Sequence, residues 1–195
     1  MNSEVKPSQE HLGIKGSTIV QTRVIGALIL RDVRARMGGS VWNYGRFIVV
    51  PLFHLLSLAA FATLTGRAAP LGTDRTVFFV SGILPFILFL YPIRSNINVI
   101  DESRPLLVFP IVNPIDIILA RVILESINSL ILIIIVAFAL YVLGNSIVPK
   151  NPYETLCGIA ATIVLSISFC IPNAVMARLV TNWTQACVLT AIALY

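Results

Sequence analysis

Charged residues are scarce in this 195-residue chain, in which aspartate, glutamate, lysine and arginine together make up 12%. A soluble domain contains about a quarter of such residues, so the composition excludes a soluble enzyme, a disordered chain and a nucleic-acid-binding protein. The formal net charge of +5 does not change that conclusion, because the basic residues crowd towards the N-terminal end. We therefore expect no nucleic-acid partner.

Cysteine and histidine are also rare. The three cysteines, Cys157, Cys170 and Cys187, all lie in apolar stretches, and their odd number argues against a disulfide framework. Neither their spacing nor the two histidines resemble a metal site. We expect that this chain binds no metal ion.

Nucleotide-binding and catalytic motifs are missing as well. The run nearest to a phosphate-binding loop, residues 13–17, lacks the required spacing, and neither Gly-x-Ser-x-Gly nor His-Glu-x-x-His occurs. The adjacent acids Asp101 and Glu102 would point about 100° apart on a helix, which does not make a metal-holding pair. We predict no catalytic residues and no bound cofactor, and therefore not an enzyme.

Long apolar runs are what the sequence does contain, with 57% hydrophobic residues and a mean hydropathy of +0.90. A membrane-spanning helix needs about 20 mostly apolar residues. Four segments meet this requirement. A fifth begins at Trp183 and stops with the chain at Tyr195, so we expect a C-terminal part of the protein to be missing from this sequence. The four predicted spans are 47–65, 76–93, 127–143 and 155–176. The predicted fold class is an all-α integral membrane protein.

Basic residues indicate how these spans are oriented. The N-terminal residues are polar and contain no apolar run of the kind found in a signal peptide. The positive-inside rule therefore predicts a cytoplasmic N-terminus, with 1–16 as a polar cytoplasmic segment and 17–195 as the membrane domain. Alternation then places loops 66–75 and 144–154 outside and loops 94–113 and 177–182 inside. Seven basic residues precede the first span, against three acids: Lys6, Lys15, Arg23, Arg31, Arg34, Arg36 and Arg46.

A helix without internal proline is predicted from Ser17 to Met37, ahead of the first span. Its apolar residues form one stripe, although Ile25 and Ile29 fall on the otherwise polar face, and Asp32 and Arg36 are spaced as an i,i+4 ion pair. We interpret it as a helix at the cytoplasmic membrane interface, with its arginines near anionic headgroups; the alternative is a basic flank that is simply helical. The stripe consists of Ile19, Gly26, Leu30, Val33 and Met37, and the arginines are Arg23, Arg31, Arg34 and Arg36.

The inner loop 94–112 is longer than a tight connection requires. Asn113, Pro114 and Asp116 then have the pattern of an N-cap, a first-turn proline and a first-turn acid, which begins the third span well before its apolar core. Further along, Arg121 and Glu125 share one helix face and are spaced to pair with each other while pointing into protein. The alternative is an arginine that reaches for the headgroups and a solvated acid.

One ionisable residue, His54, lies deep inside a span, which makes it a candidate for the translocation path. A neutral histidine hydrogen-bonded to a neighbouring helix is the other interpretation. Phenylalanines in the first two spans, Phe53, Phe86 and Phe89 among them, offer rings that stack on the apolar faces of sugars, although membrane phenylalanines commonly face lipid.

The order of these parts resembles the permeases of type-2 ABC exporters, and among them the inner-membrane subunits that export capsular polysaccharide in Gram-negative bacteria. Residues 22–32 (TRVIGALILRD) resemble the opening helix of that family, with Arg36 and Gly38 at its spacing. Pro51 and Leu52 match its first-span proline, and residues 120–125 (ARVILE) match the start of its third span. The chain departs from the family at Arg46, where tryptophan is common, and at Val50, where an acid is common. The resemblance covers roughly residues 14–195.

The resemblance implies a permease of six spans that works as a homodimer in the inner membrane. A separate ATPase subunit, using ATP and Mg²⁺, would dock on the cytoplasmic face and drive export of lipid-linked capsular or related polysaccharide. The loop 94–113 would couple the two subunits, with Asp101, Glu102 and Arg104 as candidate contacts. The alternatives are a permease for O-antigen, teichoic acid, another lipid or a drug, then a secondary transporter, and last a membrane enzyme. A secondary transporter is disfavoured because Glu125 is the only acid near a span core.

Overall fold

A computed structural model of the chain describes residues 14–38, 40–64, 75–144, 149 and 151–187. Within these residues all regular secondary structure is helical. Three parts of the predicted organisation lie outside the described residues: 1–13 of the polar segment 1–16, most of loop 66–75 with about half of loop 144–154, and the end of the fifth span, 188–195. The long helices are α1 (Ile14–Met37), α2 (Val41–Leu64), α3 (Arg75–Asn96), α5 (Pro114–Val142) and α6 (Pro152–Leu179), with a short α4 (Val99–Glu102) followed by a 3₁₀ turn (Arg104–Leu106).

Four helices are long and apolar enough to cross a membrane, as the sequence predicts, so the all-α membrane fold is confirmed. The candidate spans are Trp42–Phe61, Thr76–Asn96, Pro114–Val142 and Pro152–Leu179. The third is much longer than its predicted apolar core, 127–143. At 1.5 Å per residue its 29 residues extend about 43 Å, which exceeds the roughly 30 Å hydrocarbon thickness. The polar first turns of α5 therefore have room outside the hydrocarbon.

Helix α5 begins as its sequence predicts. Asn113 is the N-cap with extended backbone, Pro114 occupies the first turn, and the Asp116 carboxylate accepts a hydrogen bond from the Asn113 N–H at 3.2 Å. Gln21 of α1 donates a second hydrogen bond to Asp116, at 2.9 Å, so the cap also joins two helices. Asp116 is 1% exposed, which makes it part of the packed structure.

We predict that Asp116→Ala lowers the free energy of unfolding by about 1–2 kcal/mol, because it removes an N-terminal acceptor and its contact with Gln21. The measurement is denaturant unfolding of the purified protein in detergent. The matched control is Glu154→Ala, which removes the exposed first-turn acid of α6 and should change stability by less than about 0.5 kcal/mol. An equal loss in both variants would contradict the proposed role of Asp116.

The core forms around α5, which packs against α1, α2, α3, α4 and α6. One apolar cluster joins α1, α4, α5 and α6 at the end of the bundle where α5 begins. A second cluster joins α2, α3 and α5 nearer the opposite end. Buried members of the first include Leu28, Val99, Ile118, Val122 and Ala174. Buried members of the second include Leu55, Val80, Ile87, Leu132 and Val136.

Helix α1 packs on the bundle through a face other than the predicted apolar stripe, the face that carries Ile25 and Ile29. Ile25 and Ile29 lie against the first apolar cluster beside the buried Leu28. Ile19 and Leu30, from the predicted stripe, are each about half exposed. The helix therefore has two apolar surfaces, one against the protein and one available to a membrane. Its end is marked by Gly38, whose φ of +50° is the left-handed conformation that glycine adopts after a helix.

Candidate functional site

A cavity of about 730 Å³ lies where the end of α1, the first turns of α2, the end of α3 and the first turns of α5 meet. We call this end of the bundle the arginine end. The lining residues are Asp32, Ala35, Arg36, Arg46, Val50, Pro51, Tyr91, Arg94, Ser95, Arg121 and Glu125.

A buried ion pair forms one wall of the cavity. Arg36 of α1 and Glu125 of α5 approach to 2.5 Å between Nη2 and Oε1, and their side chains are only 9% and 10% exposed. Ser95 of α3 donates a hydrogen bond to the same Glu125 oxygen at 2.9 Å. The Asn128 amide faces the other oxygen at 3.5 Å and accepts from the Tyr44 hydroxyl of α2 at 2.6 Å. Four helices therefore meet around one carboxylate.

A second ionic group lies beside the first. Arg121 of α5 has its Nε 3.0 Å from Asp32 of α1 and its Nη2 3.1 Å from Glu102 of α4. Arg31, next to Asp32 in the sequence, also contacts the Asp32 carboxylate at 2.6 Å. These contacts join α1, α4 and α5 on the side of the cavity nearest the α4 turn.

The structure corrects both ion pairs predicted from helical spacing. Asp32 and Arg36 do not pair with each other, and neither do Arg121 and Glu125. The pairs instead cross between helices, Asp32 to Arg121 and Arg36 to Glu125. The reason is geometric: each predicted pair does share a helix face, but the two faces are packed together, so Arg36 and Arg121 each lie against a carboxylate of the other helix.

Positive charge exceeds negative charge in the lining. Four arginines face two acids, Asp32 and Glu125, both of which are engaged by arginines already. Arg94 forms no ion pair within the described part of the chain, and it is exposed, as is Arg46. The lining therefore carries more positive than negative charge, and guanidinium groups suit phosphate and carboxylate oxygens.

The residues predicted for a translocation path are only loosely associated with this cavity. His54 has its Nδ1 3.3 Å from the Tyr91 hydroxyl, and Tyr91 lines the cavity, so His54 lies just behind the wall. This contact agrees with the hydrogen-bonded interpretation of His54. None of the three phenylalanines is part of the lining. Phe53 is 73% exposed, and Phe89 packs edge-on against Phe169 of α6, with ring centroids 5.5 Å apart.

The candidate coupling residues lie together on α4 and the turn after it. Their charges are engaged within the chain: Arg104 contacts Asp101 at 2.9 Å, Arg178 at the end of α6 approaches Asp101 to 3.5 Å, and Glu102 pairs with Arg121. All three side chains remain substantially exposed, at 44%, 55% and 67% for Asp101, Glu102 and Arg104. They remain accessible to a partner.

The four predicted interface arginines differ in exposure. Arg36 turns into the cavity, whereas Arg23 and Arg34 are exposed, and Arg31 lies between these extremes. No sequence pattern predicted Arg46 or Arg94 as cavity residues. One signal was present for Arg46, since it stands where tryptophan is common in the family that the chain resembles.

Four candidate spans, with a cavity lined by four arginines and two acids at one end, indicate a multi-pass membrane protein. The chain is similar to two proteins of Escherichia coli that are both called Polysialic acid transport protein KpsM. It is 28% identical to one over 148 residues and 27% identical to the other over 147 residues, which is 75% of this chain in each case. The match covers 57% of each relative, so the chain spans little more than half their length. The resemblance to capsular polysaccharide export permeases is thereby confirmed.

No protein-family model matches the chain.

Proposed function

We propose that this chain is part of the membrane-spanning permease of an ABC exporter that carries capsular or related polysaccharide across the inner membrane. The observation that carries the proposal is the cavity at the arginine end, lined by four arginines and two acids, on helices similar to a polysialic acid transport protein. Sialic acid carries a carboxylate, so such a polymer is a polyanion. A cationic cavity favours entry of that class of substrate over a neutral or cationic one.

In this proposal the arginine end is cytoplasmic. The basic residues before the first span support this orientation through the positive-inside rule. The cavity then faces the compartment in which a lipid-linked polymer is made. Its two lining residues from α5, Arg121 and Glu125, precede the apolar core of that helix, whose length exceeds the hydrocarbon thickness. Movement of the polymer through the permease is outward.

The partners in this proposal are a second permease chain and a separate ATPase subunit. A homodimer would enclose the path between two copies. The ATPase, which binds ATP and Mg²⁺ itself, would dock at the exposed α4 turn that carries Asp101, Glu102 and Arg104. The runner-up is a permease for another amphiphile with an acidic headgroup, such as O-antigen, teichoic acid, a lipid or a drug. The same cavity supports it, because phosphate and carboxylate use the same donors.

Deletion of the gene in its host tests the proposal. We expect polysaccharide to disappear from the cell surface and to accumulate in the cytoplasmic fraction, because synthesis continues while export stops. A complementing copy of the full-length gene should reverse both changes, and an empty vector is the control. Normal surface polysaccharide in the deletion strain would contradict the substrate assignment and favour the other amphiphiles.

A further inference from the structure

One guanidinium group, that of Arg121, lies within ion-pair distance of carboxylates from two other elements. Its Nε is 3.0 Å from Asp32 on α1 and its Nη2 is 3.1 Å from Glu102 on α4. The Arg121 and Asp32 side chains are 14% and 11% exposed, whereas Glu102 is 55% exposed. The three residues therefore form a continuous ionic path from the protein surface to a buried position.

The two ends of this path have different surroundings. Asp32 and Arg121 both line the cavity, so that end is part of the substrate-facing wall. Glu102 is the last residue of α4, which lies at the surface, while its neighbours Val99 and Ile100 are buried against α5 and α1 in the first apolar cluster. A displacement of α4 would therefore be transmitted to the side chains packed against it and to Arg121, because close-packed interiors are stiff and transmit strain.

The neighbouring acid, Asp101, provides a contrast within the same turn. Its carboxylate contacts Arg104 and approaches Arg178 at 3.5 Å, and all three of these side chains are 43–67% exposed. None of the three lines the cavity. Exposed pairs of this kind contribute about 0–1 kcal/mol. The two adjacent acids thus have different partners. Asp101 pairs with exposed residues at the surface, whereas Glu102 pairs with Arg121, which lines the cavity.

We propose that Glu102, Arg121 and Asp32 form a relay that transmits displacement of α4 to the cavity wall on α1. Arg121 is the positioning residue of this relay, because it alone contacts both carboxylates. The inference rests on the proposed function, in which the ATPase acts at α4. Within the α4 turn where the ATPase docks, it assigns transmission to Glu102 and leaves docking to Asp101 and Arg104.

The test uses the full-length permease with its ATPase, reconstituted in proteoliposomes with the host's polysaccharide. Glu102→Gln keeps the size of an exposed side chain and removes its charge. Glu154→Gln makes the same change at an exposed glutamate of α6, outside the cavity lining and the α4 turn, and is the matched control. We expect Glu102→Gln to retain ATPase binding and ATP hydrolysis while polysaccharide transported per ATP falls about tenfold, a typical coupling effect. Glu154→Gln should keep the wild-type ratio.

A distance measurement separates transmission from a structural role. Spin labels are placed at the exposed positions Arg34 on α1 and Leu179 at the end of α6, after the three native cysteines are replaced. We expect ATP to change the distance between the labels in the wild type and in Glu154→Gln, and to leave it unchanged in Glu102→Gln. A variant that was merely less stable would still show the ATP-dependent change in its folded fraction.

Each contrary outcome has its own meaning. A wild-type transport ratio in Glu102→Gln, or an ATP-dependent distance change in that variant, would overturn the relay and leave the proposed function intact. Loss of ATPase binding by Glu102→Gln would make Glu102 a docking residue and would also overturn the relay. Absence of ATP-dependent export by the wild-type complex would contradict the proposed function, and the relay with it.

Discussion

Glu125→Leu is expected to lower the free energy of unfolding by about 3–5 kcal/mol, because it leaves the Arg36 guanidinium buried without its carboxylate. Both side chains are about nine-tenths buried, so water does not replace the missing charge. Ser95 and Asn128 lose a hydrogen-bond partner in the same substitution. The measurement is denaturant unfolding of the purified protein in detergent, with retention of helical circular dichroism as the check on folding.

A double substitution distinguishes an ion pair from simple loss of packing. Arg36→Met with Glu125→Leu replaces both charges by apolar groups of similar length, and such exchanges of buried pairs are often neutral or stabilising. We expect the double variant to recover most of the stability lost in Glu125→Leu. Arg34→Ala, an exposed change on the same helix, is the control and should change stability by less than about 0.5 kcal/mol. If the double variant loses as much stability as Arg36→Met and Glu125→Leu lose separately, added together, the ion pair is not the cause of the loss in Glu125→Leu.

Removal of the surplus cavity charge is expected to have the largest effect on transport. Arg46→Ser with Arg94→Ser leaves two arginines and two acids in the lining, which gives it no net charge. A hydrogen bond to a charged group contributes about 1.5–3 kcal/mol. Loss of one such contact should raise the substrate concentration needed for half-maximal export roughly 10–100-fold. The measurement is export from inverted membrane vesicles as a function of polysaccharide concentration.

Three controls separate charge from shape and from folding. Arg46→Lys with Arg94→Lys keeps the charge, so export should stay closer to wild type than in the serine variant. Arg23→Ser removes an exposed arginine outside the cavity and should leave export unchanged. Raising the ionic strength should weaken export by the wild type more than by the serine variant, because salt screens the charges. Wild-type export by the double serine variant would contradict a cationic substrate site.

Local sequence features predicted the helices and their ends. The long apolar runs predicted four spans, and Asn113, Pro114 and Asp116 predicted the first turn of α5, because hydropathy and helix capping act over a few neighbouring residues. The same local reasoning placed Arg121 and Glu125 on one face, which is correct. It did not predict the residues with which Arg121 and Glu125 pair. Spacing along the sequence defines a helix face, but the residues opposite that face depend on which helix packs against it.

The sequence by itself determined that this protein is a helical membrane protein, where its spans lie and which family it resembles. Those properties follow from composition and local pattern. Only the tertiary structure decided that Asp32 pairs with Arg121 and Arg36 with Glu125, and that Arg46 and Arg94, 48 positions apart in the chain, share one cavity. The physical reason is that α1 packs against α5 through Leu28, Ile25 and Ile29, and this contact sets the rotation of the helix about its axis. That rotation, which no local rule contains, turns its charged residues towards those of α5.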